Sequence, residues 1–103
     1  MNLESYKIVG ELDSFNYKQV QDDILAILER GDNVAIDLTD CSYISSTGLR
    51  VLLYSKKMAA AKGQEVYLVG TKDGVKDVMD VTGFSSFFDS FSTMEECLEK
   101  VKG

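Results

Sequence analysis

The chain has 103 residues, 45% of them hydrophobic and 27% charged, which is the size and balance of one soluble globular domain and excludes a disordered or fibrous chain. Its net charge of −6 lies wholly in the first half: residues 1–46 hold nine acids and three bases, residues 47–103 eight of each. Such acidity repels phosphodiester backbones, so nucleic acid is not an expected partner, and Lys56, Lys57 and Lys62 read as a solvated helix face.

The N-terminal "MNLESYK" shows no basic patch followed by an apolar stretch, and no apolar run approaches the roughly 18 residues of a membrane span. No membrane association is expected, and the plain reading is cytoplasmic. In "YKIVGEL" the residues Tyr6, Ile8 and Leu12 share one side of a period-two pattern, which predicts a first strand. From Phe15 to Arg30 the period changes: Tyr17, Val20, Ile24, Ile27 and Leu28 recur at three and four, and Gly31 stops the pattern. An amphipathic helix is predicted there.

"NVAIDL" alternates again and predicts a second strand running directly into "YISSTGLRVLLYSKK". Leu49, Leu52, Leu53, Ala59 and Ala60 then mark a helix ending near Gly63, and "EVYLVG" predicts a third strand. Asp73 to Val81 reads as a short helix packing Val75, Val78 and Met79, and "FSSFFDSF" as a short strand or turn whose phenylalanines enter the core. Ser92 and Glu95 have capping-box spacing ahead of a last helix with Met94, Cys97, Leu98 and Val101 on one face.

Strands separated by helices require crossover connections and hence a largely parallel sheet. Alternating rather than continuously apolar strands place the helices mainly on one face. The predicted class is α/β, one domain over residues 1–103, without repeats or linkers.

The chemistry available is narrow. Histidine is absent, which removes the Ser-His and Cys-His nucleophile pairs and the commonest transition-metal ligand. Cys41 and Cys97 are far apart and read as small buried hydrophobes. Neither GxSxG, GxxxxGK[ST] nor GxGxxG occurs, so esterase and nucleotide-binding readings lack support, and no cofactor or metal is expected.

What stands out is the cluster of Ser45, Ser46 and Thr47 between a strand and a helix, the place where α/β proteins gather ligands. With a helix start near Gly48, Ser46 or Thr47 is its N-cap, next to unsatisfied amides and the positive dipole end. From position alone these hydroxyls are capping and loop residues. Gly48 serves either a close backbone approach or a tight turn.

"GELD" (Gly10–Asp13) together with "YISSTGLRVLL" resembles the STAS domain family, and within it the bacterial anti-sigma factor antagonists. The first motif is similar to the turn closing the family's early strand. The second is similar to its phosphorylation loop, usually Asp-Ser-Ser/Thr-Gly-Leu-Gly. The resemblance implies a small mixed, largely parallel sheet backed by helices and a non-enzymatic role.

It also implies site residues. Ser46 takes the phosphoacceptor position, Thr47 the following hydroxyl, Gly48 and Leu49 the helix entry, and Asp13 the acidic residue near the loop. Ser45 stands where aspartate is usual and Arg50 where glycine is common, and the N-terminal stretch is shorter than the family's first hairpin, which leaves a sheet edge open. Asp13, Ser45, Ser46, Thr47, Gly48, Leu49 and Arg50 form the expected partner surface. The implied partners are an anti-sigma factor with serine kinase activity and a serine phosphatase that restores the hydroxyl. The alternative is a STAS module that binds a small ligand or serves in a larger assembly, such as a lipid-transport complex, without a phosphorylation cycle.

Overall fold

The computed structural model describes residues 2–102. Along them run β1 (Leu3–Lys7), β2 (Gly10–Leu12), α1 (Tyr17–Glu29), β3 (Asn33–Asp37), β4 (Cys41–Ile44), α2 (Ser46–Ala61), β5 (Val66–Val69), α3 (Asp73–Thr82), β6 (Asp89–Phe91) and α4 (Met94–Lys102). A single 3-10 turn, Phe84–Phe87, joins α3 to β6.

The main sheet has the order β1-β3-β5-β6, and every pairing among the described residues is parallel. β3 is central, and its Val34, Ala35 and Ile36 are completely buried. Val34 and Ile36 face the larger core with Val66, Leu68 and the apolar stripes of α1 and α2. Ala35 and Val69 turn to the other face, where Cys97 of α4 packs with Met94, Val101 and Phe91. Helices therefore cover mainly one face, as the alternation predicts, and one short helix closes the second.

Two departures from the sequence reading shape the site. The stretch 6–12 is not one strand. Ile8 still follows β3, its N–H donating to the Asp37 carbonyl at 3.1 Å, but Gly10 then adopts φ +84°, a conformation open to glycine and strained for other residues. Its N–H turns to the Asp40 carbonyl at 2.9 Å, and the chain leaves the main sheet. Its neighbour leaves with it, because Asp37 Oδ1 accepts from both the N–H and the hydroxyl of Thr39 and bends the end of β3.

β2 and β4 then pair in a small parallel sheet of their own, Glu11 opposite Tyr43 and Leu12 opposite Ile44. "GELD" thus contributes a strand rather than a turn. β4 escapes a periodicity reading because its burial runs buried, exposed, exposed, buried and carries no period of two.

Smaller corrections have similar causes. The last helix is capped one residue later than the spacing suggested: Thr93 Oγ1 accepts from Glu96 N–H, and the Glu96 carboxylate accepts from Ser92 N–H. Of the phenylalanines in "FSSFFDSF" Phe88 is buried and Phe84 and Phe91 pack half-buried against the two cores, whereas Phe87 is 54% exposed. Val78 and Leu98 are also largely exposed.

Candidate functional site

The site is built from the meeting of β2, β4 and α2. Ser45 follows β4 in an extended conformation (φ −80°, ψ 171°), and its N–H donates to the Leu12 carbonyl of β2 at 2.9 Å. Its own carbonyl accepts the first helical bond, from Leu49 N–H at 2.9 Å, while its Oγ accepts from Gly48 N–H at 3.1 Å. Ser45 is thus the N-cap, and α2 begins at Ser46, ahead of the start near Gly48 that the spacing suggested.

Aspartate and serine are about equally good N-caps, which gives a physical reason for a serine at this position. Ser45→Ala is expected to cost about 1 kcal/mol, or roughly 4–8 °C of melting temperature, whereas Ser45→Asp keeps the cap and stays near the parent. Thermal denaturation of both variants checks this. A collapse of the Asp variant alone would show that the site tolerates a hydroxyl and not a carboxylate.

The remaining residues take fixed roles from that start. Ser46 is the first helical residue and is exposed; Thr47 is half-buried; Gly48 and Leu49 are buried; Arg50 is exposed one turn on. With Ser45 capping Gly48, the amides of Ser46 and Thr47 are left at the positive end of the helix without intrahelical acceptors.

Gly48 resolves in favour of close approach. A Cβ there would lie 2.7 Å from the Leu12 carbonyl oxygen, 2.8 Å from Leu12 Cγ and 2.9 Å from Ile44 Cγ2. One carbonyl, that of Leu12, both anchors the cap and excludes a side chain at residue 48.

Asp13 follows β2 directly, but its carboxylate is engaged in a turn. Oδ1 accepts from Phe15 N–H at 2.9 Å, the backbone carbonyl accepts from Tyr17 N–H at 3.0 Å, and the N–H donates to Asn16 Oδ1 at 2.9 Å. Asn16 Nδ2 donates in turn to the Glu11 carbonyl at 2.7 Å. The structure therefore places Asp13 one residue from Leu12, which anchors the start of α2, and gives it the work of starting α1.

That turn presents Phe15, which is 96% exposed. Beside it a cleft of about 630 Å³ opens between α1 and α2, lined by Tyr17, Gln21, Thr47, Arg50, Val51 and Tyr54. The sequence reading assigned Tyr17 to the buried face of α1 and overlooked Gln21 and Tyr54. The spacing Thr47, Arg50, Val51, Tyr54 was the available signal, since it marks one face of α2 on which two members are polar or charged.

Cys41, at the start of β4, is buried, and burial holds its thiol above the ordinary range, so it is a neutral packing group. Cys97 is buried in the same way behind the sheet, with its thiol raised by burial.

A parallel α/β sheet whose side ribbon ends in a capped, hydroxyl-bearing helix start is the arrangement of a STAS domain; a sequence model of the STAS domain matches residues 5–97, and the chain belongs to that family. BtrV of Bordetella bronchiseptica, assigned as an anti-sigma factor antagonist, is 35% identical over 88 residues, covering 84% of this chain and 75% of BtrV. The anti-sigma-B factor antagonist of Bacillus subtilis is 29% identical over 82 residues, covering 80% of this chain and 75% of its own.

Among solved structures, the Bacillus anti-sigma factor antagonist SpoIIAA in its unphosphorylated form superposes with a TM-score of 0.85 at 19% identity, covering 99% of this chain and 90% of SpoIIAA. Its phosphorylated form gives 0.74 at 19% identity, covering 97% and 91%. At those identities the likeness speaks for the fold. The described residues contain no helix long and apolar enough to cross a membrane.

Proposed function

We propose that this protein, acting as one STAS domain, is an anti-sigma factor antagonist controlled by phosphorylation of Ser46. Unmodified, it binds an anti-sigma factor that is also a serine kinase, in the cytoplasm, and so releases a sigma factor. Modified, it lets the partner go until a serine phosphatase restores the hydroxyl. The supporting observation is Ser46 itself: exposed, first in a capped helix, and flanked by the half-buried Thr47.

In the transfer, Ser46 Oγ attacks the γ-phosphorus of ATP held by the kinase. An O–P bond forms, the bridging bond to ADP breaks, and the hydroxyl proton passes to a base of the kinase. This chain supplies only the acceptor and no catalytic group. Support for the partner class comes from the two relatives described above, both named for antagonism of an anti-sigma factor. That SpoIIAA exists in phosphorylated and unphosphorylated forms supports the cycle.

Incubation with ATP and the cognate kinase, followed by mass spectrometry, is expected to add one phosphate at Ser46 and none in Ser46→Ala. Labelling that persists in Ser46→Ala and vanishes in Thr47→Ala would move the acceptor by one residue. The cleft between α1 and α2 favours a second reading, because its volume lies within the range of small-ligand sites. A STAS module that binds a ligand there without a cycle would show no labelling at all.

A further inference from the structure

Arg50 is exposed and, among the described residues, takes part in none of the four ion pairs, which involve Lys7, Arg30 and Lys56. Among the described residues it is also the only charged one lining the α1–α2 cleft. Its place on the helix is specific. At 3.6 residues per turn, Arg50 lies about 40° around α2 from Ser46 and about 60° on the other side from Thr47, roughly 6 Å and 4.5 Å further along the axis respectively. Side chains on a helix lean toward its N-terminus, so the guanidinium has the reach to turn back over Ser46 and Thr47.

We propose that Arg50 is an internal clamp for a phosphate on Ser46, swinging from the rim of the cleft onto the modified residue. This rests on the reading of Ser46 as the acceptor and adds how the modified state is held. A planar guanidinium and a phosphate match in geometry and charge, and the separation of i and i+4 is the one at which helix side chains meet. The amides of Ser46 and Thr47 complete the anion's surroundings from below.

Opposing them, Glu11 and Asp13 bring carboxylates on the neighbouring strand and turn, while Tyr17 of the first turn of α1 lines the cleft with Thr47. The clamp therefore offsets a repulsion that the acidic first half of the chain would otherwise leave uncompensated. It has a second effect. Drawing Arg50 onto the phosphate removes from the cleft the one cation that a partner's carboxylate would meet there.

The test installs phosphoserine at position 46 directly, through an expanded genetic code, so that it does not depend on any kinase. The second ionisation of the phosphate is followed by phosphorus NMR in the parent, Arg50→Gln and Arg50→Lys, each with a dispersed amide spectrum confirming the fold. Because Asp13 and Glu11 act on all three proteins alike, the difference between them isolates residue 50. The parent is expected to ionise at least about 0.3 pH unit below Arg50→Gln, with Arg50→Lys between them and the gap narrowing in about 1 M salt. The Arg50 Nε–H resonance should shift on phosphorylation as well. Coincident titration curves for the parent and Arg50→Gln would overturn the clamp, whereas failure of the kinase to label Ser46 would overturn the phosphorylation cycle and leave the titration result standing.

Discussion

With a phosphate on Ser46 the protein is expected to lose about a thousandfold in affinity for its anti-sigma partner, a change of ~4 kcal/mol, while melting within about 5 °C of the unmodified form. Two magnitudes at one atom decide this. Within the chain, Ser46 opens α2 at its positive end, and an anion there gains on the order of 0.3 to 1 kcal/mol from the dipole and the unpaired amides. Exposure of Ser46 lets water solvate the rest of the charge, so the fold persists.

At a partner surface the balance reverses. The group carries about −1.5 to −2 charges and would sit in an interface shaped around a hydroxyl, next to Glu11 of β2 and Asp13 of the turn that follows. Desolvation of that charge then opposes the complex, and Arg50, drawn onto the phosphate, is no longer free to meet the partner. Calorimetric titration of unmodified and Ser46-phosphorylated protein, with melting curves of both, measures the two effects separately. Unchanged affinity would sink the switch and promote the ligand-binding reading of the cleft.

The second large effect is expected at Gly48. Alanine is the better helix former by about 1 kcal/mol, and from propensity alone Gly48→Ala should stabilise α2. The local space decides otherwise. The new methyl would stand 2.7 Å from a backbone carbonyl and under 3.0 Å from Leu12 and Ile44, of which Leu12 is fully buried. None of these is the free end of a flexible chain, so relief requires β2 and α2 to separate, and the Leu12–Ser45 hydrogen bond lies along that seam.

Forcing an extra methyl into a packed site costs about 1–3 kcal/mol, and three contacts under 3.0 Å put this one near the upper end, so after the propensity gain the net is a loss of roughly 2 kcal/mol, near 10 °C in melting temperature. A rise in melting temperature in Gly48→Ala would mean that propensity outweighs contact and that the seam is looser than drawn. Because the same carbonyl holds the cap, the variant should also blur the amide resonances of residues 45–49.

The α/β order, the largely parallel sheet and the position of Ser46 could be read from the sequence, because each rests on local signals: a change of period at Phe15, turn glycines at Gly31 and Gly63, and hydroxyls at a strand-to-helix junction. What escaped depends on partners distant in sequence. The break at Gly10 is visible only once Asp40 is known to receive its N–H, and β4 only once β2 lies beside it.

The cap moved to Ser45 because three successive residues offered a hydroxyl, and the choice among them is made by the Leu12 carbonyl thirty-three residues earlier in the chain. Thr93 displaced Ser92 at the last helix for the same kind of reason, adjacent hydroxyls that propensity does not distinguish. Tyr17 fits the apolar period of α1, but it stands at the helix's first residue, where the chain has just emerged from the Asp13 turn and its ring faces the cleft.

The parallel pairing of β3 with β5 bears on how the chain is made. Parallel neighbours cannot meet through a short hairpin, and here the connection between them consists of β4 and α2. During synthesis β3 leaves the ribosome with only β1 to pair with, and its second edge stays open until Val66–Val69 has emerged. The serine-bearing helix is the arm that must swing across for this to happen, pivoting on a start that the Leu12 carbonyl of β2 already holds.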